Sequence, residues 1–356
     1  VSQLATPWLV LIFGLGAAAV WVAGIHLSRQ TDVLATRLHL GSALGGLLLL
    51  ALATNLPEIA IVCSAALSGD VGVAVGNILG GIAIQTVVLV VLDVFGVSAG
   101  RPLTYRAASL VLVVEGLAVI GVLATVVGGT QLPAGVIVWR LTPECVLIAV
   151  LWLVSLLLVQ RAGRGLPWHE AGQPPDGQKP ERGHRRRRTE QTATQKGIST
   201  ARAAGIFAAA AAVTLIAGIV LERSGEAIAG HIGLSGVLFG ATVLAAATSL
   251  PEVSTGLTSV RQGDYQLAVS DIFGGNAFLP VLFLPATLLS GKAVLPRASD
   301  TDIYLTAVGI VLTTAYVTGL LFRPTRRVAR MGVDSLVVLV LYALALAGLF
   351  AISAAA

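Results

Sequence analysis

Long apolar runs, separated by short polar breaks, fill nearly the whole chain. A helix of about 20 apolar residues crosses the roughly 30 Å hydrocarbon core of a bilayer. Ten such spans are predicted, over residues 7–27, 40–67, 72–95, 105–128, 142–160, 202–222, 234–260, 265–290, 302–322 and 333–354. The first lacks a basic flank and is too long for a signal peptide, so it reads as a span. Gly and Pro interrupt the seventh to ninth, which membranes tolerate only where neighbouring helices or a cavity satisfy the freed backbone. Residues 161–201 break the pattern: they are polar, rich in Gly, Pro and Gln, and carry the run Arg185-Arg186-Arg187-Arg188. Such a segment buries too little apolar surface to fold alone and reads as a flexible linker. The pattern therefore predicts an all-α polytopic membrane protein, with five spans in residues 1–160 and five in residues 202–356.

The two sets of five repeat each other. A shift of 194 residues aligns Asp32–Gln85 with Glu226–Leu279 without a gap, and about 19 of the 54 positions are identical. Five is odd, so the second repeat enters the membrane inverted, an arrangement that places substrate near the midplane on interrupted helices. The most alike stretches are Ala53-Thr54-Asn55-Leu56-Pro57-Glu58 and Ala247-Thr248-Ser249-Leu250-Pro251-Glu252. A carboxylate at bilayer depth costs about 2.5–3.5 kcal/mol on insertion scales and marks a functional candidate. Each follows a proline, which lacks the N–H that would bond the carbonyl of Ala53 or Ala247. One acid and several backbone or threonine oxygens in each copy make ligands suited to hard cations.

After the turns Gly69-Asp70 and Gly263-Asp264 comes a second repeated element, Ala74-Val75-Gly76-Asn77-Ile78-Leu79-Gly80-Gly81 and Ala268-Val269-Ser270-Asp271-Ile272-Phe273-Gly274-Gly275. Its Gly pairs allow another backbone to approach closely. Counting by four, Asn77, Gly81 and Gln85 share one helix face, as do Asp271, Gly275 and Leu279. These faces are expected to line the cavity of the two glutamates.

Composition agrees with a membrane protein: 56% of the 356 residues are hydrophobic and 12% charged, and the mean hydropathy is +0.88. The net charge of +5 is not a nucleic-acid signal, because the basic residues cluster in loops between spans. With the linker cytoplasmic, about 19 basic residues lie on that side and 4, Arg140, Arg223, Lys292 and Arg297, on the other. This fits the positive-inside rule for a cell membrane and puts both termini outside. A lipid- or partner-binding role for the Arg run is the rival reading. Two cysteines in apolar runs, Cys63 and Cys145, offer neither a disulfide framework nor a metal site. The five histidines sit mostly in loops without His-x-x-x-His spacing.

Thr-x-Leu-Pro-Glu, then Gly-Asp and a Gly-Asn-x-x-Gly stretch, duplicated in two halves, resembles the calcium/cation antiporter superfamily, its sodium/calcium exchanger branch most of all. The resemblance covers most of the chain. It implies ten spans about a cytoplasmic central loop, no cofactor, and transported Ca²⁺, Na⁺ or H⁺. It implies that Glu58 and Glu252 coordinate the cation and that Thr54 and Thr248 add oxygens. Three departures stand out. Gly81 and Gly275 occupy positions where those exchangers carry Ser, and Gln85 and Leu279 stand where they carry Asn or Asp. Asp271 stands where Asn is common. Sodium ligands are thus missing, and Gln85 looks more like the calcium/proton branch.

Bland alternatives stand beside each candidate. A single buried Glu is often a neutral hydrogen-bonded carboxyl, and Asn77 could cross-link helices. Asp271 is read as a ligand or a proton-titrating group, with Gln85 evenly balanced between site and structure. Asp70 and Asp264 read as helix caps. Glu115 and Glu144 have no repeated partner and read as structural. The expectation is a Ca²⁺ antiporter driven by Na⁺ or H⁺, with metal-site residues Glu58, Glu252, Thr54, Thr248, Asp271, Asn77 and Gln85. The rivals are a Na⁺/H⁺ exchanger without a calcium role, an ion channel, and an intramembrane metallo-hydrolase. Oligomeric state is not legible.

Overall fold

The computed structural model describes residues 4–37, 52–97, 100–136, 139–166, 199–261 and 263–355. The Arg185–Arg188 run, most of the predicted linker and the opening of the second predicted span lie outside the described residues. The described chain is helical apart from turns and one two-residue hairpin. In order the helices are α1 (Thr6–Arg37), α2 (Leu56–Ser68), α3 (Val71–Val91), α4 (Leu103–Ala107), α5 (Leu110–Gly129), α6 (Pro143–Arg164) and α7 (Thr200–Ile232). There follow α8 (Gly236–Thr248), α9 (Leu250–Arg261), α10 (Tyr265–Phe278), α11 (Phe283–Ser290), α12 (Asp300–Phe322) and α13 (Val333–Ala355). Among the described residues, eight helices are long and apolar enough to span a membrane, and α8 with α9, bent by 41°, makes a ninth if the pair is one span. With α2 as the described part of the second predicted span, the fold is compatible with ten.

Three boundaries differ from expectation. The helices α1 and α7 run to 32 and 33 residues, about 50 Å at 1.5 Å per residue, because polar residues after each apolar run continue the helix. The fourth span starts at Leu110 rather than near 105: Ala108 is extended (ψ 121°), and the Ser109 hydroxyl caps α5 by accepting from Val111 N at 3.2 Å. The ninth span, expected to be interrupted, is one continuous helix, α12.

Burial sorts the helices into layers. In the most apolar 18-residue stretch of each helix, 72% of residues are buried within Val71–Gly96 and 67% within Tyr265–Ser290, against 28% in α1 and in α7 and 17% in α13. The repeated second elements therefore form the centre, and α1 packs along α7 as a long pair at the edge. The turns before α3 and α10 match across the repeat. Gly69 and Gly263 take φ of 84° and 82°, a left-handed conformation that glycine adopts without strain. Asp70 then accepts from Val73 N at 3.4 Å, and Asp264 from Leu267 N at 3.1 Å, the predicted caps.

The Gly pairs behave unequally. A Cβ on Gly80 would lie 2.2 Å from Ala241 Cα, and one on Gly76 2.7 Å from the Val237 carbonyl, so α3 and α8 touch backbone to backbone. A Cβ on Gly274 would meet nothing within 4 Å.

One buried acid staples a membrane edge. Asp93 accepts from Leu103 N (2.9 Å), Gly332 N (2.6 Å) and Ser335 Oγ (2.9 Å), while Arg327 donates to its carbonyl at 3.3 Å. It joins the end of α3 to α4 and to the hairpin Arg327–Val328 with Met331–Gly332. Hydrogen bonds to a charged group contribute about 1.5–3 kcal/mol each, so Asp93→Ala is expected to destabilise by roughly 3 kcal/mol or more. Thermal unfolding in detergent checks this, and an unchanged midpoint would contradict it.

Candidate functional site

The site grows out of two helix breaks. Each repeated motif interrupts its helix one residue before Leu-Pro-Glu. Asn55 adopts φ −90°, ψ 14° and Ser249 φ −79°, ψ 1°. Proline then falls in the first turn of α2 and of α9, where its missing N–H costs nothing. The carbonyls of Ala53 and Ala247 lose the donors that residues 57 and 251 would have supplied. The chain is thus broken ahead of the proline, with Pro57 and Pro251 opening new helices, rather than kinked at it. Glu58 and Glu252 lie in those first turns, where free N–H groups and the positive helix end favour a carboxylate. The preceding segment α8 ends at Thr248, and its negative end favours a cation nearby.

The two glutamates are near neighbours in the core. Glu252 lies within electrostatic reach of Glu58 and of Asp271, and Thr248 approaches the Glu58 carboxylate across the repeat boundary. Glu58 is 0% exposed and Glu252 2%. Neither has a basic partner among the described residues. Asp271 is also buried and accepts from the Thr255 hydroxyl at 3.2 Å. The acids do not close into a cage: among the described residues no three His, Cys, Asp or Glu are grouped tightly enough to hold a metal ion. Further ligands would have to be neutral oxygens.

Several are at hand. The buried Thr54 hydroxyl lies 3.5 Å from Asn55 Nδ2. A Cβ on Gly275 would stand 3.1 Å from Gln85 Oε1 and 3.3 Å from Asn55 Nδ2, so both amides flank that glycine. The side-chain oxygens and nitrogens of Asn77 and Gln85 are buried without hydrogen-bond partners among the described residues. Seven sequence candidates are therefore placed unevenly. Glu58, Thr248, Glu252 and Asp271 come together, and Gln85 joins Asn55, the neighbour of Thr54. Asn77 is buried on α3, with its backbone against Gly240, and makes no hydrogen bond to either glutamate among the described residues.

Contacts repeat with the halves exchanged. Gly24 of α1 packs on Pro251, and Gly218 of α7 packs on Pro57, positions related by the shift of 194. Likewise Gly81 faces Leu279 while Gly275 faces Gln85. Reciprocal contacts of this kind are what a two-fold relation between inverted repeats produces. The relation also exposes an asymmetry: one quadrant holds the apolar Leu279 where the other holds Gln85.

Sequence reasoning passed over some buried acids. Glu115, read as structural, accepts from Ser270 at 2.9 Å beside Asp271, and both acids line one cavity with Trp152 and Ser155. Glu222 was not singled out at all, yet it is fully buried and accepts from Ser64 at 2.9 Å. Its signal was present as an acid at the end of an apolar run, but the repeat gave it no counterpart, since Ser28 occupies the matching position. The two cysteines are unpaired, Cys145 buried and Cys63 half-buried.

Comparison with known proteins bears on the fold and the family. A profile of the family described as "Sodium/calcium exchanger protein" matches residues 8–161 and 202–351. The inner membrane protein YrbG of Escherichia coli (strain K12) is 25% identical over 256 residues, covering 69% of this chain and 70% of that protein. The putative antiporter CaxA of Alkalimonas amylolytica is 33% identical over 96 residues, covering 26% of this chain and only 30% of that protein. Among solved structures, the sodium-calcium exchanger NCX_Mj superposes with a TM-score of 0.59 at 15% identity, covering 96% of this chain and 99% of the other. The H⁺/Ca²⁺ exchanger CAX does so with 0.63 at 13%, covering 97% and 87%. These structural likenesses speak for the fold, and the profile covers both repeats: the chain is a multi-pass membrane protein of the sodium/calcium exchanger family, within the calcium/cation antiporters.

Proposed function

We propose that this chain exchanges Ca²⁺, or a cation like it, against Na⁺ or H⁺ by alternating access to a site built on Glu58 and Glu252. The observation that carries the reading is their proximity. Two buried carboxylates from opposite repeats lie within electrostatic reach of each other, without a Lys or Arg beside them among the described residues. Taking two like charges out of water costs several kcal/mol each unless opposite charge accompanies them. One divalent ion, two monovalent ions or two protons satisfy the pair, but not together, and this competition couples the two fluxes. A loaded site lets the protein close over it and switch sides, whereas an empty one resists.

The roles follow from placement. Glu58 and Glu252 neutralise the ion, Thr54 and Thr248 add oxygen at the helix breaks, and Asp271, held by Thr255, is the nearby acid that carries a proton rather than a third ligand of the same ion. Gln85 and Asn77 are the remaining polar ligands. The long pair α1 and α7 rests on the core through Gly24 on Pro251 and Gly218 on Pro57, contacts small enough to slide. Movement of this pair across the core would expose the site to either side. The basic linker is placed on the cytoplasmic side of a cell membrane by the positive-inside rule.

Between the driving ions, the Gly81–Leu279 contact favours the proton. It puts an aliphatic side chain where a further oxygen ligand for sodium would be needed. NCX_Mj is described as a sodium-calcium exchanger and CAX as an H⁺/Ca²⁺ exchanger, so both partners occur on this fold. Calcium uptake into vesicles under an imposed sodium gradient, then a proton gradient, tests the reading. The expected result is uptake driven by a gradient, stronger with protons. Proton-driven sodium flux without calcium movement would favour a Na⁺/H⁺ exchanger, and gradient-independent leak would favour a channel.

A further inference from the structure

A line of polar positions on α7 leads away from this site. Thr214, Gly218, Glu222 and Glu226 recur every fourth residue and so share one helix face. That face meets α2. A Cβ on Gly218 would stand 2.8 Å from Ala60 and 3.0 Å from the Pro57 carbonyl, and Ser64 Oγ donates to Glu222 Oε2 at 2.9 Å. At the far end, Asp70 lies within hydrogen-bonding reach of the Glu226 carboxyl. Three carboxyls therefore step from the membrane edge towards the break at Pro57, and none of them belongs to the Glu58–Glu252 pair.

Glu222 is the buried member. It is 0% exposed, and its Oε1 has no hydrogen-bond partner among the described residues; nor has Thr214 Oγ1, two turns further in. The charged groups facing it are Glu226, Arg223 and Asp70. Isolated burial of an ionised carboxylate is costly, and the single Arg223 charge is shared with Glu226 and Asp70, so Glu222 needs a further positive charge when α7 covers it. No three metal-ligating side chains gather there among the described residues. The cation that a single carboxyl can hold is a proton. The first repeat carries Val20, Gly24, Ser28 and Asp32 at the matching positions, so the device belongs to one half only.

We propose that Glu222 is a proton-binding station on the route between Glu58–Glu252 and the side of the membrane opposite the linker, loaded from the Asp70–Glu226 pair. Two carboxyls in hydrogen-bond contact hold one proton between them. That proton passes to Glu222 Oε1, one helical turn inward. The O–H bond at Asp70 or Glu226 breaks, its electron pair stays behind as carboxylate charge beside Arg223, and a new O–H bond forms at Glu222. Ser64 keeps the other oxygen in place. The assignment extends the transport reading given above and rests on it for the word route.

Infrared difference spectra of the whole protein in lipid, recorded across pH, test the station directly. A protonated-carboxyl band is expected that disappears in Glu222→Gln, shifts in Ser64→Ala and survives in Glu58→Gln. A spectrum unchanged by Glu222→Gln overturns the assignment; the Ser64→Ala shift provides the same test should the first variant fold poorly. In proteoliposomes, Glu222→Gln is expected to slow proton-driven uptake by about tenfold or more, because the carboxyl that holds the proton between the membrane edge and the break at Pro57 is removed. The slowing is expected only when acid is applied on the side opposite the linker. Equal slowing from both sides, or none, contradicts the route. An intact Glu222 band in a protein that exchanges no cation would contradict the transport reading instead and leave the proton site standing.

Discussion

Glu58→Gln and Glu252→Gln are each expected to abolish coupled exchange and to weaken cation binding by a hundredfold or more. Both substitutions keep shape and remove one charge from a buried cluster. Deleting one partner of a buried charge pair typically costs about 3–5 kcal/mol, on the order of a hundredfold to several thousandfold in affinity. The two effects should be similar, because Glu58 and Glu252 occupy equivalent first-turn positions of α2 and α9. Calorimetric titration of the purified variants with Ca²⁺ and with Na⁺ checks this. Loss in only one variant would show that the two repeats do not contribute alike, and full binding in both would remove these residues from the site. The variants are expected to be no less stable without ion than the parent, since each relieves repulsion between neighbouring carboxylates.

Gly80→Ala is expected to be the most damaging single-methyl change in the central layer. The new Cβ would meet Ala241 Cα at 2.2 Å and the Ala241 carbonyl at 2.7 Å, which are backbone atoms unable to rotate away. Forcing α3 from α8 opens the core that holds the broken helices, and overpacking of this kind costs about 1–3 kcal/mol and sometimes more. Gly274→Ala, with nothing within 4 Å of its added Cβ, serves as the matched control. Yield and thermal midpoint in detergent should fall for the first and hold for the second. Equal behaviour would mean that the α3–α8 approach is looser than described.

Much of this was legible in the sequence, for physical reasons that differ by residue. The spans follow from hydropathy, because a bilayer imposes a minimum apolar length. The pairing of Glu58 with Glu252 follows from the repeat: equivalent positions in inverted halves converge on the axis that relates them. The caps at Asp70 and Asp264 follow from Gly-Asp before an apolar run. Less was legible where contacts join different helices. Asn77 shares a helix face with Gln85, yet only Gln85 is seen beside a residue of the Glu58 motif, since which neighbour a face meets depends on the packing of α8. Asp93 looked like one more acid at a span end, and its role as a staple appears only once Leu103, Gly332 and Ser335 are brought to it. Glu222 and Glu115 lack repeated partners, and the symmetry that exposed the glutamate pair hid them. The breaks at Asn55 and Ser249, ahead of the prolines, reflect a preference of proline for the first turn that the motif alone did not rank.

A density map of the protein in lipid or detergent, soaked with Sr²⁺ as an anomalously scattering stand-in for Ca²⁺, reaches the centre of the account most directly. A single strong anomalous peak is expected between the carboxylates of Glu58 and Glu252, weakened by added Na⁺ or by acid. A peak elsewhere, or none while the two acids stay buried together, would contradict it.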